Sequence, residues 1–142
     1  MAVVGFGFTK MLIERKSDVK GKINIKNNVA IKEVSSIDMS LGKIKQKGLK
    51  VEFEFKSVYE PDIAQILFEG NVLDVSDEKS VEDLLKGWKK DKKLPNQFME
   101  PIINSILNRC NIQALIFSKE LNLPPPIPMP KVSSNVTTGA KK

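Results

Sequence analysis

The sequence predicts an α+β domain: a four-stranded antiparallel sheet packed by two C-terminal helices. Two observations carry this. Residues 49–58 alternate with period two, placing Val51, Phe53 and Phe55 on one face and Glu52, Glu54 and Lys56 on the other, the pattern of a half-buried strand. Beyond residue 77 the period changes to that of a helix, with Phe98, Ile102, Ile106, Cys110 and Ala114 in one i, i+4 row. Strands in the first half and helices in the second make an α+β layout. A chain of 142 residues fits one domain, residues 1–132, and such a domain buries roughly two thirds of the surface its unfolded chain exposes.

Residues 6–15 and 29–39 are strand candidates with a weaker alternation, separated by a loop-like stretch over 16–28. Residues 42–48 form a lysine-rich turn before the clear strand at 49–58. After a turn at Tyr59 to Asp62, residues 63–73 read as another strand, paired antiparallel with its predecessor because the connection is short. That strand is apolar on both sides at several positions, so both of its faces are expected to be covered. Two hairpins would complete a sheet of about four strands.

Ser76 or Asp77 can cap the first helix, in which Val81, Leu84, Leu85 and Trp88 fall on one stripe and Gly87 lowers stability. A basic connection ends at Leu94 and Pro95. Asn96 or Gln97 then starts the second helix, with Pro101 expected near its first turn, where a missing N–H costs least. The inner row of this helix is flanked by Ile103, Leu107 and Phe117, giving it more apolar surface than one small sheet face covers. Five of the eight residues from Leu123 to Pro130 are proline, so the helix must stop and the chain continues as a stiff extended ribbon. Residues 133–142 are small, polar and basic, and are expected to be disordered.

Composition narrows the chemistry. There is no histidine and one cysteine, which removes the commonest general base and metal ligand and any thiolate zinc site. Asp74, Asp77, Glu78, Glu82 and Asp83 cluster where a helix N-terminus favours negative charge, a capping pattern more than a metal site. No phosphate-binding glycine loop or nucleophile elbow is present, and the alternation of Gly5, Phe6, Gly7 and Phe8 reads as a strand entry. The chain is therefore expected to be no enzyme and to need no cofactor. Cys110 lies in the helical apolar row as a small buried hydrophobe, which fits a reducing compartment. The first eight residues are too short and glycine-broken for a signal peptide or membrane span, so a cytoplasmic protein is expected.

The net charge of +6 raises nucleic acid as a partner. Only Arg15 and Arg109 among the basic residues are arginines, and the lysines are spread along the chain, which disfavours base readout. The abundance of Lys and Ile with little Cys, Gln and His resembles proteins of organisms that grow hot. A basic nucleic-acid-binding module, a proline-rich ligand for an adaptor domain and a carboxylate enzyme are the rival readings.

The order of four strands, a first helix ending near Trp88, Leu94 and Pro95 launching a long second helix, and a proline-bearing apolar segment from Asn122 to Pro130 resembles the SecB family of protein-export chaperones. The likeness spans most of residues 6–132 and is one of topology and punctuation. It implies a homotetramer, a dimer of dimers, that keeps unfolded or preprotein clients soluble in apolar grooves without ATP, either for export or beside a toxin–antitoxin pair. This chain departs from bacterial members in being basic rather than acidic, which argues against docking on the SecA motor. Leu123, Ile127, Met129, Val132, Phe117, Phe6, Phe8, Met11 and Trp88 are the candidate client contacts, with core or subunit packing as the alternative role for each.

Overall fold

The computed structural model describes residues 2–19, 21–41, 44–75 and 78–128. Four strands, β1 (Ala2–Arg15), β2 (Asn24–Leu41), β3 (Ile44–Glu60) and β4 (Ala64–Val75), precede two helices, α1 (Glu78–Asp91) and α2 (Asn96–Glu120). The sheet order is β1-β4-β3-β2 and every neighbouring pair is antiparallel. The α+β class with its four-stranded sheet and two helices is as the sequence predicts. The two hairpins are β2–β3 and β3–β4, which share β3, while β1 lies at the far edge from β2 and pairs with β4 in a Greek-key arrangement.

The connection from β1 to β2 crosses the end of the sheet at the β3–β4 turn. Backbone amides of Lys16 and Ser17 both donate to the carbonyl of Ile63, at 2.7 and 3.2 Å. The Ser17 hydroxyl donates to the Asp62 carbonyl at 3.3 Å, and the Lys16 ammonium stands 3.2 Å from the Asp62 carboxylate. These contacts fix the crossing where the strands end.

One sheet face forms the core. Leu49, Val51, Phe53, Phe55 and Tyr59 of β3 and Ile66, Phe68 and Val72 of β4 are buried there, each worth roughly 1.5 to 3 kcal/mol of hydrophobic stabilisation. On the other face of β4, Leu67 and Leu73 are only half-buried, so the expected cover on both faces is incomplete. The outer strands break the period of two. Pairing skips Val4 and Thr9 in β1 and Lys32 in β2, so Phe8 and Met11, and likewise Ile31 and Val34, share a face although three residues apart.

Helix α1 buries Val81 and Trp88 and half-buries Leu84 and Leu85, the stripe read from the sequence. Its expected cap, Ser76 or Asp77, lies outside the described residues. The Trp88 indole N–H donates to the Glu33 carboxylate at 2.9 Å, and the Lys92 ammonium lies 5.3 Å from the centre of the Trp88 ring. Together these tie the end of α1 to β2.

Helix α2 begins after Pro95, whose carbonyl accepts the amides of Phe98 and Met99 at 3.0 Å. Pro101 falls one turn deeper than expected. It removes the donor that would satisfy the carbonyl of Gln97, and both residues are exposed, where water can replace that bond. Phe98, Ile102, Ile106, Cys110, Ala114 and Ser118 form the buried row. At its C-terminus Asn122 takes a left-handed φ of 55°, its amide donates to Lys119, and the Leu123 amide donates back to Ser118. This is the Schellman pattern, with Asn in the place usually given to Gly and Leu123 folded into the core.

Candidate functional site: the seam between β1 and α2

Sheet order leaves the outer edge of β1 without a strand partner among the described residues. Along it the inward-facing side chains are Val3, Phe6, Phe8, Met11 and Ile13, set opposite Asp74, Val72, Gly70, Phe68 and Ile66 of β4. Phe6 and Phe8 meet edge to face with centroids 5.1 Å apart, Phe8 lies 5.5 Å from Phe68, and Phe68 lies 5.5 Å from Phe117 of α2. Phe6 also tilts onto Phe53 at 5.2 Å. Four candidate residues, Phe6, Phe8, Met11 and Phe117, are thus gathered on one seam.

The seam is apolar but not sealed. Phe6, Phe8 and Phe117 are half-buried, and Met11 is 39% exposed. The Arg109 guanidinium lies 4.8 Å above the Phe6 ring, an attraction worth about 0.5 to 2 kcal/mol depending on its hydration. Arg109 was not singled out from the sequence. Its place between Asn108 and the inner-row Cys110, on a helix whose neighbouring strand carries phenylalanines, is the one signal that points to it.

Close approach of β1 to β4 depends on Gly70. A Cβ there would strike the carbonyl oxygen of Gly7 and come within 2.9 Å of the Phe53 ring and 3.0 Å of the Phe8 backbone. The aromatic seam therefore exists because β4 carries no side chain at this point.

The other candidates lie elsewhere. Leu123 is buried under the end of α2, and Trp88 is buried beside β2, at the opposite edge of the sheet from β1. Ile127 is half-buried on the ribbon after α2, which reaches Asn27 of β2. Met129 and Val132 lie outside the described residues, as do residues 133–142. Exposed apolar positions that the sequence reading did not single out are Val3 and Val4 on β1 and Ile112 and Ile116 on the outer face of α2.

Burial pushes the Cys110 thiol up to about 12 despite the neighbouring Arg109, so it is a packed hydrophobe and not a nucleophile. Asp74, read from the sequence as part of a helix cap, belongs to β4 and points to the core face, where burial raises its pKa and its Oδ1 has no hydrogen-bond partner among the described residues. Among the described residues no group of three acidic, cysteine or histidine side chains could hold a metal ion, and no helix is long and apolar enough to cross a membrane.

No family model matches the chain, and no curated protein matches it. Among solved structures, the Mycobacterium tuberculosis SecB-like chaperone Rv1957, in complex with a peptide from the HigA1 antitoxin, superposes with a TM-score of 0.53 at 12% identity, over 95% of this chain and 92% of that one. The chain has a SecB-like fold.

Proposed function

We propose that this chain is an ATP-independent holdase that binds extended apolar segments of unfolded polypeptides along the seam between β1 and α2. The observation that carries the reading is the half-exposed surface of Phe6, Phe8, Met11 and Phe117 beside an unpartnered strand edge. Such an edge offers backbone hydrogen bonds to an extended chain while the aromatic side chains offer sequence-tolerant contact. Because these four side chains are already partly buried, covering what remains exposed gains only a fraction of the roughly 1.5 to 3 kcal/mol that full burial of each is worth, a few kcal/mol in all before the client's ordering cost is subtracted. Contact at each seam is consequently weak, and Met11 supplies the adaptability that promiscuous surfaces use. The SecB-like fold supports the reading, because its solved neighbour holds a peptide.

The same proposal includes self-assembly in the cytoplasm as a dimer or dimer of dimers. Ile112 and Ile116 are 52% and 48% exposed one turn apart on α2, a stripe that a second copy would cover. Several seams on one oligomer raise avidity by roughly 10² to 10⁴. Exported preproteins are one client class, and the basic charge favours action without the SecA motor. A second reading, a dedicated chaperone for an antitoxin, is favoured by the antitoxin peptide in the solved neighbour.

The test is suppression of light scattering by a chemically unfolded client, with and without ATP, alongside mass measurement in solution. Protection that needs no nucleotide, from a particle heavier than one chain, supports the proposal. A stable monomer at micromolar concentration that leaves aggregation unchanged refutes it.

A further inference from the structure

The ribbon after α2 is fastened to the sheet in an unusual way. The Tyr59 hydroxyl donates to the carbonyl of Pro124 at 2.6 Å, and the Asn27 side-chain amide donates to the carbonyl of Pro126 at 2.8 Å. The Ser57 hydroxyl donates to the Asn27 Oδ1 at 2.6 Å, which turns the NH₂ group of that amide toward the ribbon. Tyr59, Ser57 and Pro126 are all buried. Pro124, Pro125 and Pro126 have no N–H, so the polar groups along this stretch of ribbon are carbonyls and the sheet supplies donors to match. An ordinary extended peptide would bring an amide hydrogen to the buried place of Pro126, and leaving it unpaired there would weaken binding. The floor beside Asn27 is apolar, with Ile25 and Val29 on the same face of β2.

We propose that Asn27, Ser57 and Tyr59 form a binding seat for an extended, proline-bearing apolar peptide, filled in the free protein by its own residues 124–128 and opened to a client segment of the same chemistry by exchange. Leu123 stays with α2 through its amide bond to Ser118, whereas residues 124–128 join no strand of the sheet and are held to it by the Tyr59 and Asn27 side chains, so their release leaves the strand pairing and the end of α2 intact. The client half of this proposal rests on the holdase reading. The seat does not.

A fluorescent peptide with the sequence of residues 121–132 tests it in the full chain by anisotropy. In the parent, the attached ribbon competes at the millimolar effective concentration of a short tether, so the peptide binds weakly. Loosening the ribbon with Pro124→Gly and Pro126→Gly leaves all three seat residues unchanged and should tighten peptide binding at least tenfold. Adding Asn27→Ala should remove that gain, and a peptide with alanine at the positions of Pro124, Pro125 and Pro126 should bind at least tenfold more weakly. Circular dichroism and melting curves confirm that each variant folds. Equal binding to the parent and the loosened chain, or binding indifferent to Asn27→Ala, overturns the seat. If the seat holds but the loosened chain protects an unfolded client no better than the parent, exchange with clients is overturned. A parent that protects no client refutes the holdase reading, while the peptide measurements still decide the seat.

Discussion

No side chain fits between Gly70 of β4 and the carbonyl oxygen of Gly7 in β1, because a Cβ at Gly70 would collide with that backbone atom. Backbone cannot swing aside as a flexible side chain can. Gly70→Ala should therefore part β1 from β4 and disturb Phe8 and Phe53 together, destabilising the protein by about 3 kcal/mol or more. Gly87 in α1 is the control, since a Cβ there meets nothing closer than the Lys93 carbonyl at 3.6 Å. Gly87→Ala should stabilise by about 0.5 to 1 kcal/mol through helix propensity. Urea denaturation of both variants checks the opposite signs.

Tyr59 is the only tyrosine, so its ionisation can be followed by absorbance without interference. Burial pushes its pKa up to about 12. The folded value is raised above the unfolded one of about 10, so its stabilising contribution is complete below pH 10 and is lost as pH rises through about 12. Between pH 8 and pH 11 the parent should lose about 1.4 kcal/mol beyond what Tyr59→Phe loses, and the variant itself should be about 1 kcal/mol less stable at neutral pH for want of the bond to Pro124. Denaturation at pH 8 and pH 11 for both proteins measures the difference; equal slopes would contradict it.

Trp88 is likewise unique, and its indole N–H bonds Glu33. That bond, the Val34 amide and the Lys92 charge hold the Glu33 carboxyl below its usual range. A lowered carboxyl stabilises the folded state above its unfolded pKa, and this contribution fades as acid carries the pH down through the folded value. Trp88 fluorescence should show a step below pH 4.5 that Glu33→Gln abolishes.

Met11→Ser removes an apolar contact that is 39% exposed, so its melting temperature should change by a few degrees at most while client protection falls several-fold. Phe8→Ala should lower both, because Phe8 packs on Phe68 within the same chain. A Met11→Ser variant with undiminished protection would place the client elsewhere than the seam.

The central strands were legible because nothing interrupts their period: Val51, Phe53 and Phe55 alternate inward without a skip. The outer strands were blurred by their bulges, since Thr9 and Lys32 shift Met11 and Val34 onto the face that a strict alternation denies them. Eight residues between β1 and β2 are too many for a tight hairpin, and that length was the available hint that the two strands part to opposite edges. The helical row from Phe98 to Ala114 is legible because its i, i+4 spacing is unbroken and apolar, whereas Ser118 hides as its polar end. Of the candidate site, the alternation of Phe6 and Phe8 was visible, whereas Arg109 and the donors that fasten the ribbon depend on contacts between residues dozens of positions apart. Asn27 and Pro126 are 99 residues apart, a distance no local pattern spans.

Pairing the first strand with the last also sets the order of events during synthesis. Arg15 meets Ala64 and Ala2 meets Val75, so β1 leaves the ribosome roughly 50 to 70 residues ahead of β4, the strand it pairs with. At translation rates of about 5 to 20 residues per second, that is a wait of several seconds with Phe6, Phe8, Met11 and Ile13 unpaired. A chain proposed to shelter others while they are unfolded thus begins its own existence in the same condition, and nascent copies are among the first polypeptides a finished one would meet.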